Sequence, residues 1–283
     1  MTLPKSIGIT TSYWRPKEDY LDRIVQALKD VIREGDFVVV SEKALSTAKG
    51  KILDESSIEP SWTAKLLARF WMRYAWTYIF ATLCHLPNET IQHVRNYPLD
   101  EGSAHKHVAI QHAGFWQALL QGSEGGIDSS NLPYSYVSMP LKDPNYVAEE
   151  IRRHIKARLE KNVAVMIADT DKTYSWRNFH FTPRPNPIKA IHSKGGIVSY
   201  LVGRALKLKR RATPLAVAGS KISVEQALNI ADLADQSMGF GAGKTVWDMA
   251  KTFKSSLNGV SWEMLEMIQH VPVVIVRFEH QAK

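Results

Sequence analysis

Three short runs of nearly unbroken apolar residues constrain this chain most: Asp36 to Ser41 (DFVVVS), Asn162 to Ala168 (NVAVMIA) and Val271 to Phe278 (VPVVIVRF). Each is shorter than an ordinary helix, and two are dense in valine and isoleucine, which pack well on a pleated surface. Each therefore reads as a buried strand. The third tolerates its proline because it stands near the strand start. Leu21, Ile24, Val25, Leu28, Val31 and Ile32 recur at helical spacing and predict an amphipathic helix ending near Gly35. Pro60 to Leu83 reads as a longer helix, with Trp62, Leu66, Phe70, Trp71, Tyr74 and Tyr78 inward and Lys65, Arg69 and Arg73 in water. Asp143-Pro144 predicts a cap for a helix burying Val147, Ile151, Ile155 and Leu159. Leu215 to Ala218 reads as a short strand, and Ser223 with Gln226 predicts a capping box for a helix to about Ser237.

The stretch 98–143 is rich in Gly, Ser, His and Asp and reads as loops around short elements, and 181–194 as an ordered proline-rich loop. The pattern is α+β, mixed sheets with packed helices and an inserted subdomain. Residues 1–60 with 190–283 are expected to form the main, nucleotide-side domain, and 61–189 the insertion.

Charge narrows the partners. Lys and Arg total 36 against 28 Asp and Glu, a net +8, which suits an anionic partner such as a nucleotide or phosphorylated small molecule. An apolar share of 45% excludes a disordered chain, and a single cysteine excludes an internal disulfide or a Cys-cluster metal site. The most apolar stretch, Tyr74 to Cys84, has eleven residues, against about 20 for a membrane span. The expected setting is cytoplasmic, without a membrane partner. Lys207, Lys209, Arg210 and Arg211 form a basic run, but no nucleic-acid module accompanies it, so nucleic acid ranks below small anions.

Four constellations can carry chemistry. Gly125-Gly126-Ile127-Asp128-Ser129-Ser130-Asn131 suits a hard cation on a carboxylate as well as it suits an Asx turn. Asp169-Thr170-Asp171 follows a buried strand, a place for carboxylates that hold Mg²⁺ or Mn²⁺ against phosphate, or for a plain turn. His105, His107 and His112 have a spacing compatible with zinc, or serve as structural or substrate contacts. Gly239 to Thr245 ends in Gly-Lys-Thr like a phosphate loop. However, Met238 stands where a glycine belongs, and a helix precedes it instead of a strand. Gly239, Gly241 and Lys244 can still approach a phosphate.

Together, several stretches resemble one family. Gly35 to Gly50 looks like its strand and Ser-Lys-Ala-Glu-Gly turn, Gly126 to Asn131 like its Gly-Ile-Asp-x-Ser-Asn loop, Ile167 to Thr170 with Trp176-Arg177 like its Thr-Asp-Thr strand end and Trp-Arg, and Ala234 to Gly243 like its late glycine-rich loop. That family is the coenzyme F420-0:L-glutamate ligases, or γ-glutamyl ligases. The resemblance implies that fold, an amide-forming ligase using GTP (ATP as the alternative) through an acyl phosphate, Mg²⁺ or Mn²⁺, an anionic small-molecule acceptor, and a homodimer. It implies Asp128, Asp169 and Thr170 as metal ligands, and Asn131, Glu42, Lys43 and Ser12 of the Thr10–Trp14 loop at the nucleotide. It places Arg177 on phosphate or the anionic substrate. Departures mark a divergent paralogue. Thr47 and Lys49 stand where the family has Lys and Glu, Phe240 where its loop offers a glutamate, and Lys172-Thr173 where it has Gly-Arg. A non-catalytic protein that binds a nucleotide, deazaflavin or other anion is the alternative.

Overall fold

The computed structural model describes residues 4–122 and 124–278; the tips of the expected main domain, 1–3 and 279–283, lie outside the described residues, as does Ser123. Among the described residues, eight strands run in chain order: β1 (Lys5–Thr11), β2 (Phe37–Ser41), β3 (Ile52–Asp54), β4 (Tyr136–Ser138), β5 (Ala164–Trp176), β6 (Phe179–Phe181), β7 (Lys209–Ala218) and β8 (His270–Arg277). The helices are α1 (Tyr20–Leu28), α2 (Glu42–Ala48), α3 (Trp62–Leu66), a wide-turn stretch Leu67–Phe80, α4 (Ala81–Leu83), α5 (Asn88–Arg95), α6 (Asp100–His112), α7 (Phe115–Ala118), α8 (Pro144–Leu159), α9 (Ile197–Ala205), α10 (Val224–Met238), α11 (Val246–Phe253) and α12 (Trp262–Glu266). This is an α+β architecture.

The main sheet runs β1-β8-β2-β5, with β6 continuing along β5 and β7 pairing with β5. β2 and β5 are parallel, and β1–β8, β2–β8, β5–β6 and β5–β7 are antiparallel. The apolar runs follow from burial on both faces. Val38, Val40, Val165, Ile167, Val273 and Ile275 pack with α1 and α8 residues on one face. Phe37, Val39, Met166, Val274 and Val276 pack with α10 residues on the other. A strand covered on both sides loses polar alternation. Asp143 caps α8, and Ser223 and Gln226 form their capping box at α10.

A second core gathers the stretch Leu67–Phe80, Cys84, α5, α6 and α7 with Ile127, Val137 and Ile197. The expected division at 61–189 is therefore corrected. β5, which carries Asp169-Thr170, is a strand of the main sheet, and α8 packs on that sheet, while α9 joins the helical core through Ile197. Residues 98–143 also depart from the expected loops, because they contain α6. Its buried side is Gly102, Ser103, Ala104, Lys106, Val108 and Ala109, so no large-residue apolar stripe marks it.

The long helix over Pro60–Leu83 turns its other stripe inward. Ala64, Leu67, Ala68, Met72 and Trp76 are buried, while Trp62, Phe70, Tyr74 and Tyr78 are exposed. The indoles of Trp71 and Trp76 both donate to the Leu119 carbonyl, at 2.8 and 2.7 Å, and this docking fixes the rotation. The basic run enters β7, where Arg211 is buried against Glu225, Asn229 and Ser175. Cys84 is a buried core residue.

Candidate active site

Parallel pairing sets the carboxyl end of β2 beside the middle of β5, Ser41 opposite Ala168, so that β5 runs on past the site and the expected strand end before Asp169 is not there. The chain leaves β2 through Glu42 and Lys43 into α2. On β5 the register with β7 slips between Asp169 and Lys172, so Thr170 and Asp171 form a bulge. Bulges re-aim side chains next to the ladder. Asp169 and Thr170 accordingly line a cavity of about 960 Å³ between the main sheet and the helical unit.

Asp128 reaches the same cavity from the loop held on β4 by reciprocal backbone bonds with Ser138, at 3.3 and 2.9 Å. One of its carboxylate oxygens sits 2.6 Å from Lys43 Nζ, and the other accepts the Ser130 N–H at 2.7 Å. Lys43 also donates to Ser130 Oγ at 2.8 Å. Behind them lies Arg184, which is 2% exposed and absent from the expected set. It donates to both Glu42 oxygens at 2.8 and 2.6 Å and to Asp169 Oδ2 at 2.5 Å. Burial raises the Glu42 carboxyl above the ordinary carboxylate range; Arg184 opposes the rise, and Asp169 adds to it.

Asn131 also lines the cavity, but its side chain serves the protein. Nδ2 donates to the carbonyls of Phe240 (3.1 Å) and Gly243 (2.9 Å), and Oδ1 accepts the Ala242 N–H at 2.7 Å. Asn131 thus holds the glycine-rich loop from within the cavity wall. Gly239 and Gly241 carry φ of +68° and +56°, at the edge of the cavity, which favours glycine. Lys244 Nζ stands 4.2 Å over the exposed Phe240 ring, and both face the cavity.

Three expected residues lie outside the lining: Glu42, buried behind the wall against Arg184 and the Leu141 N–H, Arg177 and Ser12. Arg177 is exposed at the tip of the β5–β6 hairpin, in left-handed backbone, and is not among the lining residues. Ser12 is exposed and its hydroxyl accepts from Arg23, while its neighbours Tyr13 and Trp14 line the wall. Tyr13 stacks on His270 at 4.4 Å and donates to the Asn131 carbonyl. Burial pulls the His270 ring down to about 4, against a bond to the Ser12 carbonyl.

The three histidines do not converge. His105 and His107 are two residues apart on α6, about 200° around the helix, and His112 is exposed at its end. His105 lies between Glu55 (2.9 Å) and Glu124 (3.4 Å), whereas His107 accepts the Ser61 N–H at 3.2 Å. Burial lowers the His105 ring, but Glu55 and Glu124 outweigh it and raise it to about 10. Among the described residues, no group of three His, Cys, Asp or Glu side chains could hold a metal.

Despite the net charge of +8, the cavity wall is acidic. Glu55, Asp100, Glu101, Glu124, Asp128, Asp169 and Asp235 line it against Lys43, Lys65, Lys172 and Lys244. Asp128, Asp169 and the Thr170 hydroxyl are the wall oxygens whose chemistry suits a hard cation that shares its shell with phosphate oxygens, the usual habit of Mg²⁺, rather than an all-protein cage. Asp128, Asp169 and Thr170 would hold such an ion, which when bound would neutralise phosphate charge. Arg184, His270 and the Glu55 and Glu124 partners of His105 escape sequence reasoning because the contacts are remote in the chain; the only local signal at Arg184 is its place between Pro183 and Pro185.

An uncharacterized protein of Methanocaldococcus jannaschii, MJ1361, is 35% identical over 99% of this chain and 98% of its own length. The coenzyme F420:L-glutamate ligase of Methanopyrus kandleri is 26% identical over 55% of each chain. Among the described residues, no helix is long and apolar enough to cross a membrane. The F420-0:gamma-glutamyl ligase profile matches residues 8–245, and the chain belongs to that family.

Proposed function

We propose that this chain is a nucleotide-dependent amide ligase that joins an amino acid of the L-glutamate type to an anionic acceptor. The observation that carries the reading is one cavity wall shared by Asp128, Asp169 and Thr170, Lys43 and Lys244, and the loop 239–243 anchored by Asn131. The acceptor carboxylate attacks the terminal phosphate of GTP, with ATP as the alternative donor, giving an acyl phosphate and a nucleoside diphosphate. The amine then attacks the acyl carbon, and phosphate and a proton leave. Lys43 and Lys244 face the phosphates, since charge neutralisation dominates phosphoryl transfer. Mg²⁺ or Mn²⁺ accompanies the nucleotide, as the excess of wall carboxylates requires of a polyanion. A homodimer in the cytoplasm completes the proposal, and outward Phe70, Tyr74 and Tyr78 offer a face for it.

The exposed Phe240 ring, where the resemblance implies a carboxylate, favours a second reading: a protein that binds the nucleotide or another anion without turnover. The two separate in one assay. Purified protein is mixed with GTP or ATP, Mn²⁺ or Mg²⁺, L-glutamate and a carboxylic acceptor fraction from cell extract. Metal-dependent phosphate release that disappears in Asp128→Asn and Asp169→Asn supports the ligase. Tight nucleotide binding without release, unchanged by chelator, supports the binder and removes the ligase.

A further inference from the structure

Arg184 is buried, yet no ligand can reach it directly: its five N–H donors are all engaged by protein. Nη2 donates to both Glu42 oxygens, Nε to Asp169, and Nη1 to the carbonyls of Gly125 (2.9 Å) and Pro185 (3.1 Å). Its own backbone is held by Pro183 and Pro185, whose rings fix φ, and by its N–H donating to Thr182 Oγ1 at 3.1 Å. The guanidinium therefore touches the end of β2, the bulge of β5 and the loop that leads to Asp128. Gly126 packs against it so closely that a Cβ there would lie 2.4 Å from the guanidinium carbon.

We propose that Arg184 is the positioning residue of this site. Clamped by Glu42, it fixes Asp169 and the Gly125–Asp128 loop relative to one another, so that the two wall carboxylates are presented together. The fork geometry makes this a task for arginine; lysine, a point charge on a flexible stem, cannot hold three segments at once. The proposal rests on the reading of Asp169 as a ligand-facing carboxylate.

Two measurements test it. In ¹⁵N–¹H spectra of the guanidinium region, the Arg184 Nε–H is expected as a slowly exchanging resonance, assigned by its loss in Arg184→Lys. Asp169→Asn and Glu42→Gln should each displace it, and Arg177→Lys should not. A resonance unmoved by Asp169→Asn overturns the proposal. In the second measurement, free Mn²⁺ is followed by EPR with a non-hydrolysable GTP analogue. Arg184→Lys should weaken binding about tenfold to a hundredfold, as Asp169→Asn does, and the double variant should be no weaker than Asp169→Asn alone. Losses that multiply would show that Arg184 does not act through Asp169 and would refute the positioning role. If the wild type binds no Mn²⁺ with the nucleotide, the functional reading fails, and the resonance experiment still decides the positioning. Should Arg184→Lys not fold, Glu42→Gln, which weakens the clamp and keeps an oxygen for the Leu141 N–H that Glu42 accepts at 2.8 Å, carries both measurements.

Discussion

Replacing Lys106 by methionine tests whether the buried charges behind the cavity wall are a coupled unit. Lys106 is fully buried on α6, and its Nζ donates to Glu124 Oε1 and to the Leu120 carbonyl, each at 2.5 Å. Methionine keeps much of the volume but leaves that carbonyl without this donor and Glu124 with His105 alone. Removing one partner of a buried pair costs about 3–5 kcal/mol. A second route gives a similar size. Burial raises the Glu124 carboxyl, but Lys106 and then His105 more than reverse this and bring it from 4.5 to about 2. That gap corresponds to about 3 kcal/mol at about 1.4 kcal/mol per pH unit. The two figures describe the same interactions and do not add. Glu124 is depressed in the folded state, so its contribution is present above about pH 4.5 and is lost as the pH falls towards 2. The variant lacks the Lys106 share of that contribution and keeps the His105 share. The stability gap to wild type should therefore be about 3 kcal/mol near pH 7 and should narrow as the pH falls below 4.5. Urea unfolding followed by tryptophan fluorescence, at about pH 7, 5 and 3.5, reads both quantities. A loss under about 1 kcal/mol, or a gap that stays constant with pH, would refute the coupled buried unit.

Gly126→Ala should destabilise the protein and weaken nucleotide binding together, because its backbone has φ +93° and the new methyl would strike the Arg184 guanidinium; a melting curve and a binding isotherm unchanged from wild type would count against the close packing. Arg177→Ala should leave nucleotide affinity within about twofold of wild type, since the residue is exposed at a hairpin tip and exposed substitutions are usually within ±0.5 kcal/mol; a tenfold loss in isothermal titration would return Arg177 to the site. His270 is depressed from 6.5 to about 4, so the stability it contributes is present above pH 6.5 and is lost as pH falls through about 4. His270→Asn should flatten that part of the curve in thermal melts between pH 7 and 4, and parallel curves would exclude His270 as its source.

Much of the scaffold is legible locally. The fully apolar runs announce β2, the first part of β5, and β8, because strands covered on both faces have no polar alternation to blur the signal. Caps at Asp143 and Ser223 mark α8 and α10 for a similarly local reason: the side chain satisfies an N–H three residues away. α6 is hidden because its buried face is small and polar and depends on Glu55, Glu124 and Leu120 from other segments.

The site divides along the same line. Asp128, Asp169, Thr170 and Lys43 stand out in the sequence, since each lies beside a glycine turn or the end of an apolar run where such residue types favour chemistry. Only the tertiary structure decides that they share a cavity and that Asn131 anchors a loop. It also substitutes Arg184, 15 residues beyond Asp169, for Arg177 as the arginine behind the site. Local patterns specify φ, ψ and burial over a few residues. The meeting of Glu42, Gly125, Asp169 and Arg184 requires the parallel pairing of β2 with β5 and a bulge in β5, and these contacts span up to 142 positions of chain.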